Sequence, residues 1–375
     1  MMTAGYDVVV VGGGAIGMAS AWRLAQAGMK VLVVDKGRLG GEASSAAAGM
    51  LGAQLEAHRP GPFYELCRES RALYPAYVAE LLEFTGIDAQ LVHNGILQLA
   101  YTEADATLLH ERAYWQRQAG DSAVWMDASE VQAAEPVIRP VYGGLFLPDD
   151  GNVSAPRLVK ALAKAVGMSC DVREGSPVSA ISPQIGGTFA VTTATDRFHA
   201  DKVLLTAGAW SSSLLRPLGY TWGIQPVKGQ MLSIRPPFGT SLQRTVYVGG
   251  TYLVPKRDGT VVVGATEERD AGFNRDVTIG AVSALSEALR EIAPGFSHAE
   301  FLQSWTGLRP GSPDGEPRIG ELPGLPGLMI AIGHFRNGIL LSAVTAQMVA
   351  AAATGRGWPE RWQPFHAAQT VQIGR

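Results

Sequence analysis

The apolar positions of the chain open with a short run at 8–11 that breaks into Gly12-x-Gly14-x-x-Gly17. A helical period follows, and a second apolar run at 31–34 ends on Asp35. This pattern predicts strand 6–11, helix 15–28 and strand 30–34, a βαβ unit. Helical periodicity returns at 64–85 and 103–119, and Asp127 opens a short helix that stops at Glu135-Pro136. A short strand is predicted at 144–148. A helix then starts with Ser154 as cap and Pro156 in its first turn, and ends near 166–167. From 175 the period changes to two, giving strands 178–181, 189–193 and 198–205. The last of these is buried, runs into a small-residue turn to Trp210, and leads to a helix over 211–218. A second antiparallel stretch covers 224–265, with Gly249-Gly250 and Asp258-Gly259 as hairpin turns. Helix 278–293 ends at Pro294-Gly295, and strand 299–305 follows. A final buried strand, 328–332, feeds a Gly-bounded turn and an Ala-rich helix to about 353. The segment 37–52, rich in Gly, Ala and Ser, reads as flexible and open to close approach by a ligand.

These elements predict an α/β protein: a Rossmann-type nucleotide domain carrying an inserted antiparallel-sheet substrate-binding domain. The nucleotide domain is discontinuous, 1–85 plus 145–220 plus 300–365, and the substrate domain takes 86–144 plus 221–299. A length of 375 residues agrees with two domains.

Composition narrows the function. Net charge is −3 and 17% of residues are charged, so nothing draws nucleic acid. Two cysteines, Cys67 and Cys170, set up neither a disulfide framework nor a metal spacing, and point to a reducing, cytoplasmic setting. The seven histidines form no His-x-x-x-His pair, so no metal is expected. Met1 to Asp7 lacks the basic start of a signal peptide, and no apolar run is long enough for a membrane span.

The candidate chemistry begins at the glycines. Gly12 allows the tight turn, Gly14 lets backbone approach a pyrophosphate, and Gly17 lets helix pack on strand. Ala15 and Ile16 lie in the first helical turn, where free N–H groups and the positive dipole end face phosphates. Asp35 has the spacing of a ribose-binding carboxylate. Lys36 and Arg38 follow it, which leaves a 2′-phosphate open.

Six motifs together carry a resemblance that covers nearly the whole chain. They are the N-terminal fingerprint, Ser44-Ser-Ala-Ala-Ala-Gly-Met-Leu-Gly52, Thr206-Ala-Gly-Ala-Trp210, Tyr252-Leu-Val-Pro-Lys256 with Val262-Val-Gly-Ala-Thr266, Gly307-Leu-Arg-Pro-Gly311 and Gly333-His-Phe-Arg-Asn-Gly-Ile-Leu-Leu341. The chain resembles the D-amino acid oxidase superfamily of FAD flavoproteins, and within it the glycine oxidase branch of bacterial thiamine biosynthesis. The resemblance implies FAD contacts from Gly12, Gly14, Ala15, Ile16, Gly17, Asp35 and Lys36. Ser44 and Ser45 would meet phosphate, and Ala46, Ala48, Gly49 and Met50 the flavin ring. Val178 would meet the adenine, with Thr206, Ala207, Gly208 and Trp210 near the pyrophosphate. Gly307, His334, Arg336, Asn337, Gly338, Ile339 and Leu340 would complete the cofactor site, with the last helix aiming its first N–H groups at the flavin. Arg309 and Tyr252 resemble the pair that grips the substrate carboxylate, and Arg336 the arginine beside it. The implied reaction is oxidation of a small amino acid or amine by hydride transfer to FAD, then to oxygen, in a homotetramer. A covalent flavin would need a cysteine near the C-terminal motif; none is there, so the FAD is expected to be non-covalent.

Two positions depart from that branch. Its histidine two residues before the pocket tyrosine is Gly250 here, and its methionine after Gly-Ala-Thr is Glu267. With Met50 these form the tentative substrate pocket. Glu267 is open to three roles: meeting a substrate amino group, pairing with Arg336, or turning to solvent beside Glu268. Other readings also stay open. One is a dehydrogenase of the same fold passing electrons to a quinone or partner protein, and another a flavin-free NAD-binding Rossmann protein. An NADPH-using FAD hydroxylase would carry a late Gly-Asp motif, where this chain has the Gly307 and Gly333 segments instead.

Overall fold

In a computed structural model, which describes residues 5–370, 372 and 373, the strand Tyr6–Val11 lies in the middle of an eight-stranded sheet. Val8, Val9, Val10 and Val11 are all buried, as a parallel strand covered on both faces requires. On one side it pairs in parallel with Val31–Val34 and then Asp171–Arg173. On the other it pairs with Arg197–Leu205, which pairs with Leu325–Ile332. The antiparallel strand Arg318–Leu322 closes that edge. A hairpin, Ala180–Pro183 with Phe189–Thr192, attaches antiparallel to the start of Arg197–Leu205. Val8, Val10, Val31 and Val33 face helices Ala15–Gln26, Pro62–Thr85, Ala155–Ser169 and Ser342–Ala353. Val9, Val11, Leu32 and Val34 face the other way, onto Phe189, Trp222 and Ile224. Alternate residues of each strand thus feed two cores.

A second eight-stranded sheet runs Glu300–Gly311, Gln225–Arg235, Val261–Gly264, Thr251–Pro255, Thr245–Val248, Ile96–Ala100, Gly143–Leu147, Val124–Asp127. Helix Ile279–Ile292 covers one side through Leu285, Leu289 and Ile292. Helix Glu103–Gln118 packs Ala106, Leu109 and Ala113 against Ile96 and Leu145.

Several expectations need correction. The second sheet is not wholly antiparallel, because Thr245–Val248 runs parallel to Ile96–Ala100. Strands Ile96–Ala100, Val124–Asp127 and Arg318–Leu322 were not expected; each is at most five residues, too short for a clear period. Gly143–Leu147 and Glu300–Gly311 both belong to the second sheet, so limits at 144/145 and 299/300 cut across it. Glu300–Gly311 continues well past 305 because Gln225–Arg235 offers it a partner along the whole length. Ser154 stands at the helix start but makes no side-chain cap, and the helix runs through Gly167 to Ser169. The segment 37–52 is not simply a loop: it holds a helical turn, Ala43–Ala46, and Met50–Leu51 pairs with Gly151–Asn152. Both hairpin turns form where expected, with positive φ at Gly249, Gly250 and Gly259. No helix of the described residues is long and apolar enough to cross a membrane.

Candidate active site

A long cleft opens at the carboxyl ends of the parallel strands, where Val11, Val34 and Ile332 line it. Ligands of open α/β sheets bind there because the strand order reverses and the crossing helices diverge. The glycines build its floor. Gly12 has φ 108, and a Cβ on it would lie 2.5 Å from the Thr206 carbonyl oxygen. A Cβ on Gly17 would meet the Gly12 carbonyl oxygen at 2.0 Å, so helix and strand touch there. Gly17 therefore packs the cleft from behind and does not line it. Ser44 Oγ accepts the Ala15 N–H at 2.9 Å, which leaves Gly14 and Ile16 to offer N–H groups to an anion. Asp35 lines the cleft, with one carboxylate oxygen accepting from Gly13 N–H and the other from Gly37 N–H, each at 2.7 Å. Every oxygen keeps a second lone pair for a ribose hydroxyl.

The nucleotide side of the cleft brings together Lys36, Ser44, Val178, Thr206, Ala207, Gly208 and Trp210, as expected. Val178 sits just before its strand, which begins at Ala180. The Lys36 ammonium lies 3.2 Å above the Trp210 ring and 3.0 Å from Glu42, so it is a rim group. Ser45 is a correction: its hydroxyl donates to the Gly40 carbonyl at 2.6 Å and it does not line the cleft.

Towards the second sheet the walls are Ala46, Ala48, Gly49, Met50 and Gly307. Small residues are needed: a Cβ on Gly307 would meet Ala46 Cβ at 2.8 Å, and one on Gly49 the Val153 carbonyl at 2.1 Å. Beneath this wall lies a group that the sequence did not single out. Lys256 Nζ donates to the carbonyls of Ala48 and Val153 and to Asn152 Oδ1, at 2.5, 3.0 and 3.0 Å. Burial pushes this amine down to about 7. The Asp258 charge pulls the other way, and the three oxygen acceptors match the three N–H groups of the ammonium form.

The C-terminal motif lines the cleft with His334, Phe335, Arg336, Asn337, Gly338 and Ile339. The helix behind it starts at Ser342, after a 3-10 turn at Phe335–Asn337, so 338–340 precede the helix rather than open it. The tight turn still presents donors, because the N–H groups of Gly338, Ile339 and Leu340 bond no acceptor among the described residues. Leu340 itself faces the core, with its carbonyl accepting from Ser70 Oγ at 2.6 Å, so its side chain is no part of the cleft. His334 is buried, its Nε2 is 3.0 Å from Thr345 Oγ1, and burial pushes it down to about 3. It is neutral and positions the turn.

At the far end Tyr252, Arg309 and Arg336 line both the cleft and an adjoining chamber of about 260 Å3. Gly250 and Glu267 line the chamber, whereas Met50 lines only the cleft. Arg309 Nη1 donates to the Thr266 carbonyl at 3.1 Å, and no carboxylate pairs with this guanidinium among the described residues. Tyr252 is buried beside it, and burial raises its phenol, so the hydroxyl stays protonated. Arg336 is different. Glu56 grips it by two 3.0 Å bonds, and that carboxylate holds the guanidinium charged. Glu56 was not foreseen. It lies 280 residues from Arg336, and no spacing rule connects them. Glu267 takes a partner that none of the three open roles named: its Oε1 accepts from Arg269 at 2.6 Å, while its Oε2 stands 3.9 Å from Arg336 Nη1.

A phosphate cradle at one end, free N–H groups along a small-residue slot, and at the other an arginine with no carboxylate partner among the described residues are the features of a dinucleotide-dependent enzyme with a polar chamber beside its cofactor. The comparisons sharpen this. Residues 7–352 match the family described as FAD dependent oxidoreductase, and the chain belongs to that family. Glycine oxidase of Bacillus licheniformis is 38% identical over 373 residues, 99% of each chain. Glycine oxidase of Geobacillus kaustophilus is 40% identical over 362 residues, 93% of each. The crystal structure of glycine oxidase from Geobacillus kaustophilus superposes with a TM-score of 0.95, covering 98% of this chain and 100% of that one at 38% identity. The cofactor is therefore FAD, and the cleft's two donor-lined ends suit its pyrophosphate and its flavin.

Proposed function

We propose that the protein oxidises glycine or another small amino acid or amine to the imine, which water hydrolyses to the keto acid and ammonia. The observation that carries this reading is Arg309, a guanidinium without an acidic partner among the described residues, next to the neutral Tyr252 hydroxyl where the cleft meets the chamber. Arg309 and Tyr252 would hold the substrate carboxylate, the arginine by a bidentate fork. Arg336 is already matched by Glu56 and adds no second anion site. His334 is neutral and bonded to Thr345, so the chain offers no histidine base here, and the amine would bind in its neutral form. Bound FAD supplies the acceptor for the hydride leaving the substrate Cα, and its two electrons pass to oxygen as hydrogen peroxide. The protein's part is positioning: the Ala46–Met50 wall, tied down by Lys256, and the donors of 338–340 fix the cofactor relative to Arg309.

We place the reaction in thiamine biosynthesis, in keeping with the resemblance. Relatives include the bifunctional protein ThiO/ThiG of Synechocystis, 36% identical over 351 residues, of which this chain covers 51%. The test is anaerobic mixing with glycine followed by readmission of oxygen. Bleaching of the flavin, then recovery with stoichiometric peroxide, is expected. Bleaching that only a dye or quinone reverses would instead make the protein a dehydrogenase. No bleaching by glycine, sarcosine, D-alanine or D-proline would overturn the amine-oxidising reading.

A further inference from the structure

The chamber beside Arg309 is larger than glycine needs. Its volume of about 260 Å3 has room for roughly eight waters. A Cβ built on Gly250 would meet no atom within 4 Å, so this wall is open. Polar groups mark the opposite side. Arg336 donates Nε and Nη2 to Glu56, which leaves Nη1 facing the chamber. Tyr247 also bonds this guanidinium, whose remaining N–H groups exceed what one hydroxyl needs. Glu267 gives Oε1 to Arg269, a side chain 52% exposed, and leaves Oε2 facing Nη1 across 3.9 Å. That gap is too long for a direct hydrogen bond. It is short enough for one oxygen to sit about 2.8 Å from each group in a bent bridge.

The two groups have complementary limits. The guanidinium only donates and the carboxylate only accepts. An ammonium in the gap could donate to Glu267 but could accept nothing from Arg336. A carboxylate could accept from Arg336 but would meet Glu267 as a like charge. A methyl group would displace a bridging water and replace neither bond. A hydroxyl does both. Resting on the amine-oxidising reading above, we propose that Glu267 and Arg336 Nη1 form a hydroxyl-reading subsite, so that the protein prefers small amino acids with a hydroxylated arm on Cα or on nitrogen.

The experiment uses the FAD-loaded protein and two series matched in size. One is D-serine, D-2-aminobutyrate, D-aspartate and D-2,3-diaminopropionate. The other is N-(2-hydroxyethyl)glycine, N-propylglycine and N-(carboxymethyl)glycine. Anaerobic flavin bleaching gives the reduction rate over the apparent Kd for each. In at least one series the hydroxyl member should exceed its methyl-ended analogue by about tenfold or more, the worth of one hydrogen bond to a charged group. Both charged analogues should be poorer still. Glu267→Ala and Glu267→Met should each bring the hydroxyl-to-methyl ratio to within about twofold of unity, a selectivity change that general loss of fold would not produce. A flat ratio in both series, or a ratio that survives both substitutions, overturns the subsite. If glycine, sarcosine, D-alanine and D-proline all leave the flavin oxidised, the amine-oxidising reading falls and takes the subsite with it. If any of them bleaches it and hydroxyl arms gain nothing, only the subsite falls.

Discussion

Arg309 and Tyr252 have room at the chamber because their neighbours are small. A Cβ on Gly229 would lie 2.3 Å from Arg309 Nη1, and one on Gly264 would lie 2.6 Å from the Tyr252 hydroxyl. Arg309→Lys keeps the charge but loses the fork. It should lower kcat/KM for glycine by about 100-fold, or about 3 kcal/mol, mainly through KM. Gly229→Ala should act in the same direction without touching substrate, because the added methyl displaces the guanidinium; unchanged kinetics for this variant would sink the packing argument. Arg309, Tyr252 and Arg336 were legible as residues from their motifs. The partner that occupies Arg336, Glu56, was not, since contact between residues so far apart leaves no trace in spacing. Glu267 was singled out only as a departure, and its pairing with Arg269 is a matter of side-chain geometry.

Short elements hold these residues in place. The helical turn Ala53–Glu56 is capped by Asp150, which accepts from Gln54 N–H and Leu55 N–H at 3.2 and 3.1 Å. Arg71 in turn holds Asp150 at 2.6 Å. Asp150→Ala leaves Arg71 half unpaired in a buried setting and frees the turn that carries Glu56. A loss of about 3 kcal/mol or more in urea unfolding is expected, with a poorer fit of Arg336. Lys256 links the end of strand Thr251–Pro255 to the flavin-side wall and gives a pH signature. Its folded value of about 7 lies below the ordinary 10.5. Below pH 7 both folded and unfolded chains carry the proton, and the folded chain bears the full cost of burying it. Between about 7 and 10.5 only the unfolded chain does, so this group's contribution to stability rises with pH. The stability of wild type relative to Lys256→Met should therefore climb between pH 7.5 and 9.5, by up to about 1.4 kcal/mol per pH unit. A flat difference would mean that the oxygen acceptors keep the ammonium charged. The long elements were legible from periodicity. The short strands Ile96–Ala100, Val124–Asp127 and Arg318–Leu322 exist because neighbouring strands offer them hydrogen bonds, which a local pattern cannot record.

For the whole molecule, the cleft that would hold FAD is lined by strands of both sheets, so removal of the cofactor should loosen both. FAD at 100 times its Kd stabilises by about 2.7 kcal/mol, and at equal protein concentration the FAD-free protein should show a lower Tm in thermal unfolding. Acid precipitation should leave the flavin in the supernatant; flavin retained in the pellet would disprove non-covalent binding. The amino-acid sequence by itself determined the βαβ unit and the glycine cradle, through local rules: period, turn chemistry, and glycines where backbone must pass close to backbone. FAD as the cofactor, and Arg309 and Tyr252 as candidates, were legible only through the resemblance of whole motifs. Only the tertiary structure decided the rest. It set the order of the second sheet, placed Lys256 beneath the flavin-side wall, matched Arg336 with Glu56, and left a 3.9 Å gap between Arg336 and Glu267. Each depends on which distant side chains share a buried space, and that is settled by packing rather than by sequence neighbourhood.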